Sequence, residues 1–150
     1  MTTILLKDHN VNAVAKELID EFKTQVRGHL ILPDDTAYEE ARLIWNVLID
    51  KHPGAILKCS GTADVVAATK FAKANDILVS VRSGGHNVGG RAVFVDGLVI
   101  DLSEMRAVLV DTTALKVRAK GGARLGDVVI ESHAQALAVA IGVLYMTGLG

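Results

Sequence analysis

A single cysteine, Cys59, stands in 150 residues, so no intrachain disulfide can form. Nothing in the thiol content calls for an oxidising compartment, and a reducing, cytoplasmic setting is the expectation. An excess of either charge is also missing: 16 Lys and Arg against 17 Asp and Glu leave a net charge of −1. That balance gives no electrostatic reason to expect nucleic acid, an anionic membrane or an acidic partner. Long apolar runs are absent too. The longest, ALAVAIGVLYM over 136–146, is too short to span a bilayer and is broken by Gly142. The start, MTTILLKDHN, lacks a basic stretch followed by a sustained apolar one, so no signal peptide is expected. Repeats and low-complexity tracts are lacking. His9, His29, His52 and His133 are not spaced as metal ligands with each other or with Cys59, and no metal site is expected.

What is present suffices for a core. Half the residues are hydrophobic and 22% are charged, in a chain about one domain long. NVNAVAKELIDEFKTQVRG (10–28) places Val14, Leu18, Ile19, Phe22 and Val26 at helical spacing, with Gly28 at the C-terminal position. HLILP reads as a short extended stub stopped by Pro33. Thr36 and Glu39 form a capping-box pattern before YEEARLIWNVLID, predicting a second amphipathic helix over 38–50. On these helices Trp45 and, further on, Phe71 fit the core, while Asp34, Asp35, Glu39 and Glu40 fit a solvated N-terminus. GAILKC predicts a strand, TADVVAATKFAKAND a helix with Val65, Val66, Thr69 and Ala72 on one face, and ILVSV another strand. Strand, helix, strand in that compass is the signature of a small parallel sheet.

Beyond residue 90 the rhythm changes. LVIDLS, AVLVD and ALKVRA read as strands, with DTTA as the hairpin turn between the last two, and GGARLGDVVIESHAQA as a turn leading into a helix. Gly121, Gly122, Gly126 and Asp127 shape that turn and helix start. The expectation is an α+β protein: residues 1–33 as lead-in, then a domain over 34–150. Its two lobes are a parallel α/β lobe over about 34–90 and a mostly antiparallel β lobe over 91–150. The chain ends on IGVLYMTGLG, apolar and without a polar tail, which suggests a piece of a longer protein.

Between the lobes lies VRSGGHNVGG (81–90), poor in side chains and placed straight after a strand. Successive backbone N–H groups in such a turn can form a concave nest for phosphate oxygens. No Lys-Ser or Lys-Thr pair closes it as in a P-loop, and the glycine spacing is not that of a Rossmann fingerprint. On spacing alone it reads equally as a phosphate or dinucleotide cradle and as a tight connection between lobes.

VRSGGHNVGG, GLVIDLSEMRAV and AKGGARLGDV taken together resemble flavoproteins of the vanillyl-alcohol oxidase and p-cresol methylhydroxylase type, closest to the berberine-bridge-enzyme-like oxidoreductases. The likeness runs from ILPDDTAYEEARLIWN to IGVLYMTGLG, and family members are much longer. It implies the PCMH-type FAD-binding fold, with Arg82, Ser83, Gly84, Gly85, His86 and Asn87 wrapping the FAD pyrophosphate through backbone amides. It also implies that a ring nitrogen of His86 is joined to the 8α carbon of the flavin. The same resemblance brings Gly142, Thr147 and Gly148 to the flavin, with Leu144 where many members carry a second, cysteine anchor. Thr147 would lie beside the flavin ring and is small enough not to block oxygen. Cys59, in a predicted strand, reads instead as a small buried hydrophobe. Asp101 sits in a stretch of the family's flavin lobe, where a structural role is as open as a cofactor one.

The reaction so implied is hydride transfer from an alcohol, sugar or similar carbon of a small-molecule substrate to flavin N5, with oxygen as acceptor. The resemblance places the catalytic base in the C-terminal part of family members, so none is expected within these 150 positions and the chain alone is expected to be inactive. Two other readings stay open: a non-catalytic FAD-binding module, and a phosphate- or nucleotide-binding domain unrelated to flavin.

Overall fold

A computed structural model describes residues 5–149. Met1–Ile4, the first part of the stretch read for a signal peptide, and the terminal Gly150 lie outside the described residues. In chain order the elements are α1 (Lys16–Gln25), β1 (His29–Ile31), α2 (Tyr38–Arg42), β2 (Ala55–Lys58), α3 (Thr62–Ala74) and β3 (Val79–Arg82). They are followed by β4 (Leu98–Asp101), β5 (Val108–Asp111), β6 (Lys116–Ala119) and α4 (Leu125–His133).

The principal sheet has the order β1-β2-β4-β3, with β1 antiparallel to β2 and the other pairs parallel. β5 and β6 form a separate antiparallel hairpin. The α+β class therefore holds, but one strand changes company. LVID, read with the antiparallel group, lies between β2 and β3 at the centre of the parallel sheet. All four of its residues are buried, as are Ala55, Ile56 and Leu57 of β2. A strand covered on both faces has no solvent side on which to alternate.

One face of the sheet carries Leu30, Leu57, Leu98 and Ile100 against Phe22 of α1 and Ala68 and Ala72 of α3. Phe22 and Phe71 stack with ring centroids 4.2 Å apart and tie the two helices together. The other face carries Ile31, Ile56 and Val99 against Tyr38, Ala41, Ile44 and Val93. Tyr38, fully enclosed, donates its hydroxyl hydrogen to the Pro53 carbonyl at 2.8 Å. On α3 the small residues Ala68 and Ala72 face the core, and Val66 faces outward, so the apolar face differs from the predicted one.

Two helix boundaries also differ. α1 ends at Gln25, with Val26 extended, and Gly28 lies beyond it in the turn to β1. There the Gly28 N–H and the Arg27 N–H donate to the two oxygens of Asp64, and Ser60 supplies a third N–H. Burial works against the Asp64 carboxylate, but these donors and the Arg27 charge hold it below the usual range. Asp64 thus pins α3 to the turn before β1. α2 spans only five residues, starting after Ala37 with no side-chain cap, so the capping box does not form. At Leu43 the backbone turns extended, with φ −65° and ψ 143°. The segment beyond bonds to the glycine loop rather than to its own preceding turn. Trp45, expected in the core, is 62% exposed there.

Candidate active-site groove

The glycine loop begins where β3 stops, at the C-terminal end of the parallel strands. Arg82, the last strand residue, points its guanidinium into the protein. Its Nη2 donates to Asp101 Oδ2 at 2.6 Å and its Nη1 to the Leu43 carbonyl at 3.3 Å. Asp101 is nearly enclosed, and its second oxygen accepts the Ser103 N–H at 2.9 Å. The buried pair fixes the base of the loop; Arg82 contributes through this anchor rather than through a free side chain.

Beyond it, the backbone N–H groups of Ser83, Gly84, Gly85, His86 and Asn87 donate to no protein acceptor among the described residues. Gly85 has φ +70°, a conformation that side chains with a Cβ rarely adopt. Asn87 closes the far side of the turn, its Oδ1 accepting from the Arg91 N–H and its carbonyl from the Gly90 N–H. Ser83 is buried, and its hydroxyl oxygen has no partner among the described residues. A run of amides without protein acceptors at one turn leaves donors that acceptor oxygens could use.

The opposite wall comes from residues 144–149. The Thr147 and Tyr145 carbonyls accept the N–H groups of Leu125 and Gly126, and the Leu149 N–H donates to the Ala123 carbonyl. The start of α4 therefore holds this segment. It is itself held by Asp127, which accepts from the Arg124 N–H at 2.8 Å and from the Arg106 guanidinium. That arginine, foremost, keeps the Asp127 carboxyl below its usual range. Gly148 lies directly on Gly84: a Cβ on Gly84 would sit 2.5 Å from the Gly148 nitrogen.

The result is a groove of about 420 Å³ lined by Ser83, Gly84, Gly85, His86, Asn87, Thr147 and Gly148, with Val81, Arg91 and Ala92 completing it. A smaller hollow of about 210 Å³ shares Ser83–Gly85 and adds Arg82, Lys58, Arg124, Ser103 and Trp45. Of the nine residues implied by the resemblance, the larger groove gathers seven; Arg82 lines the smaller hollow, and Gly142 lines neither and is exposed. Lys58, Arg91, Arg124 and Trp45 were not singled out for the site. Arg124 could have been, since it stands inside the AKGGARLGDV stretch.

Leu144 is exposed and offers no nucleophile. Cys59 is fully buried, and burial, with the Asp64, Asp101 and Glu104 carboxylates, pushes its thiol from 9.0 up to about 12. Burial likewise pushes the Tyr38 hydroxyl from 10.0 up to about 12. Both groups stay protonated in the folded chain over a range where the unfolded chain ionises, so the unfolded state binds fewer protons there. Stability should be intact below pH about 9 and fall as pH rises towards about 12. Urea midpoints measured at a series of alkaline pH values check this, and Cys59 should resist a thiol reagent until the chain unfolds.

The architecture is an α+β domain in which the glycine loop and the 144–149 segment form one groove. The family described as "FAD binding domain" matches residues 53–150, and the chain belongs to it. It is 35% identical over 117 residues to (R)-6-hydroxynicotine oxidase of Paenarthrobacter nicotinovorans, covering 78% of this chain and 26% of that protein. It is 37% identical over 122 residues to the FAD-linked oxidoreductase hasG of Aspergillus fumigatus, covering 81% and 26%. Among solved structures, 6-hydroxy-D-nicotine oxidase from Arthrobacter nicotinovorans superposes with a TM-score of 0.81 at 32% identity, over 90% of this chain and 28% of that one. The berberine-bridge-enzyme-like protein 1 of Physcomitrella patens shares the fold, with a TM-score of 0.80 at 23% identity, covering 88% and 29%. The fold is thus the PCMH-type FAD-binding fold, and the chain spans about a quarter of the length of the curated relatives.

Proposed function

We propose that this chain is the FAD-binding part of a flavin-dependent oxidoreductase, with the cofactor's pyrophosphate on the Ser83–Asn87 loop and its flavin tethered through His86. The single observation that carries the reading is the meeting, along one groove, of the Ser83–Asn87 loop, whose amides have no protein acceptor among the described residues, with the His86 imidazole. Five amide donors in a row suit the oxygens of a pyrophosphate.

Bound FAD would supply two-electron chemistry, accepting hydride from an alcohol, sugar or similar carbon and passing electrons to oxygen. The oxidase named among the relatives supports that class. The chain's own residues bind and orient: Arg82 and Asp101 brace the loop, Gly148 holds the opposite wall, and Thr147 leaves room beside the ring. A neutral imidazole nitrogen is a competent nucleophile near neutral pH. Tethering would replace the imidazole N–H of His86 and one C–H of the 8α-methyl group by a C–N bond, with oxygen as the two-electron oxidant that balances it. With no thiol at Leu144 and Cys59 buried, His86 is the one tether proposed.

The test is direct. After acid denaturation, flavin fluorescence should remain on the wild-type polypeptide and be absent from His86→Ala, which should retain only dissociable FAD. Covalent flavin surviving in the variant would remove His86 from this role.

A further inference from the structure

The indole of Trp45 lies on the His86 imidazole, ring centroids 5.5 Å apart and planes 24° from parallel. Trp45 belongs to a segment with no helix or strand, so its place has to be set by something other than secondary structure. The bonds that set it run to the glycine loop. The Trp45 N–H donates to the Gly85 carbonyl at 3.2 Å, Asn46 Nδ2 to the Val88 carbonyl at 3.1 Å, and Lys51 Nζ to the Gly90 carbonyl at 2.8 Å. Ile44 lies under Gly85 and Ile49 beside Gly90. Arg82 returns a bond to the Leu43 carbonyl. Contacts thus run along the loop from Arg82 to Gly90.

Their direction matters. In a trans peptide the C=O of one residue and the N–H of the next point to opposite sides of the chain. Pinning the Gly85 carbonyl on Trp45 therefore turns the His86 N–H away from the 43–51 segment, and pinning the Val88 carbonyl on Asn46 does the same for Gly89. The segment takes up the Gly85, Val88 and Gly90 carbonyls and leaves the His86 and Gly89 N–H groups facing away from it. The stacking acts on the side chain in the same sense. Offset stacking covers a ring face, whereas the reactive lone pair of an imidazole nitrogen lies in the ring plane. Trp45 can hold the ring's orientation without blocking the atom that reacts.

We infer that Trp45 is a positioning residue: with the 43–51 segment as a brace, it orients the His86 ring and the neighbouring amide donors before the cofactor arrives. This rests on the reading of His86 as the flavin tether. Being half out in solvent, Trp45 adds little to the core, so its stack on His86 is a local contact that substitution can remove without collapsing the sheet.

The experiment uses wild-type protein, Trp45→Ala, Trp45→Phe and His86→Ala, each produced without flavin and then supplied with FAD. Two quantities are followed: the rate at which flavin becomes resistant to acid denaturation, and the total flavin held. In parallel, the His86 ring-proton resonances are recorded without flavin, where an indole over the imidazole moves them upfield. Trp45→Ala should lose that upfield shift and slow covalent attachment by about tenfold or more, a penalty typical of a misplaced reacting group. Its total flavin should change far less. Trp45→Phe, which keeps an aromatic face, should recover most of the rate. Equal losses of covalent and total flavin would overturn the proposal by reducing Trp45 to a structural role. So would an unchanged attachment rate in Trp45→Ala while His86→Ala attaches none, a result that leaves the tether reading standing. Covalent flavin in His86→Ala would remove both.

Discussion

Arg82→Ala should cost about 3–5 kcal/mol of folding stability, the largest loss expected from any single truncation near the groove. The reason is what remains rather than what is removed. Asp101 is 2% exposed, and without Arg82 its carboxylate keeps, among the described residues, only the Ser103 N–H as a donor. An unpaired buried charge is far more costly than the pair is favourable, and domains of this size have only about 5–15 kcal/mol to lose. Lysine would not substitute, because a single ammonium cannot serve Asp101 and the Leu43 carbonyl as the guanidinium fork does. The double variant Arg82→Met with Asp101→Leu replaces both partners by apolar groups and should recover much of the stability. It should not recover flavin affinity, since the Leu43 contact and the anchored loop base are gone. Urea unfolding followed by circular dichroism, with flavin titration alongside, separates these effects. A loss below about 1 kcal/mol for Arg82→Ala would mean that the pair is not what holds the loop base.

Much of this was legible locally and some was not, for reasons that differ by element. The β5–β6 hairpin, the turn into α4 and the span of α3, though not its buried face, announce themselves in local pattern and turn residues, because their hydrogen bonds close over short distances. The glycine loop is legible for the same reason: its composition is its conformation. The pattern groups β4 with the wrong neighbours because alternation says how a strand is covered, not which strands it joins. Its unbroken LVI run was itself a mark of a strand buried on both faces. The residues after Arg42 carry a helical pattern, yet the chain leaves the helix because the acceptors that capture Trp45 and Asn46 lie in the loop some forty residues later. No local signal shows that. Asp64 is a similar case: an acidic residue near a helix start looks like a dipole partner, and its backbone donors from the turn before β1 appear only once the fold brings them there.

The meeting of Gly84 with Gly148 is the clearest instance of a site made by tertiary contact, and substituting it should have the largest effect on cofactor binding. A methyl group on Gly84 would be 2.5 Å from the Gly148 nitrogen and 3.0 Å from its Cα, both backbone atoms that cannot swing aside. To admit it, the 144–149 wall must move off the loop, yet that wall is fastened to α4 through the Thr147 and Tyr145 carbonyls and to the turn before α4 through the Leu149 N–H. The loop must yield instead, which moves the Ser83–Asn87 backbone that lines the groove. Gly84→Ala should therefore weaken FAD binding by about a hundredfold, as expected when a site is displaced by roughly 1 Å. The sheet and helices lie outside the contact and should keep their far-ultraviolet signal. Gly89 supplies the control. A Cβ there would meet only Asn87 Oδ1, at 3.6 Å, an ordinary contact. Gly89→Ala should bind FAD as the wild type does, though it sits in the same loop and makes the same change in chain entropy. Titrating each flavin-free protein with FAD by fluorescence quenching gives the two affinities. Equal weakening in both variants would trace the effect to loop flexibility. Wild-type affinity in Gly84→Ala would show that the groove does not depend on the two backbones meeting.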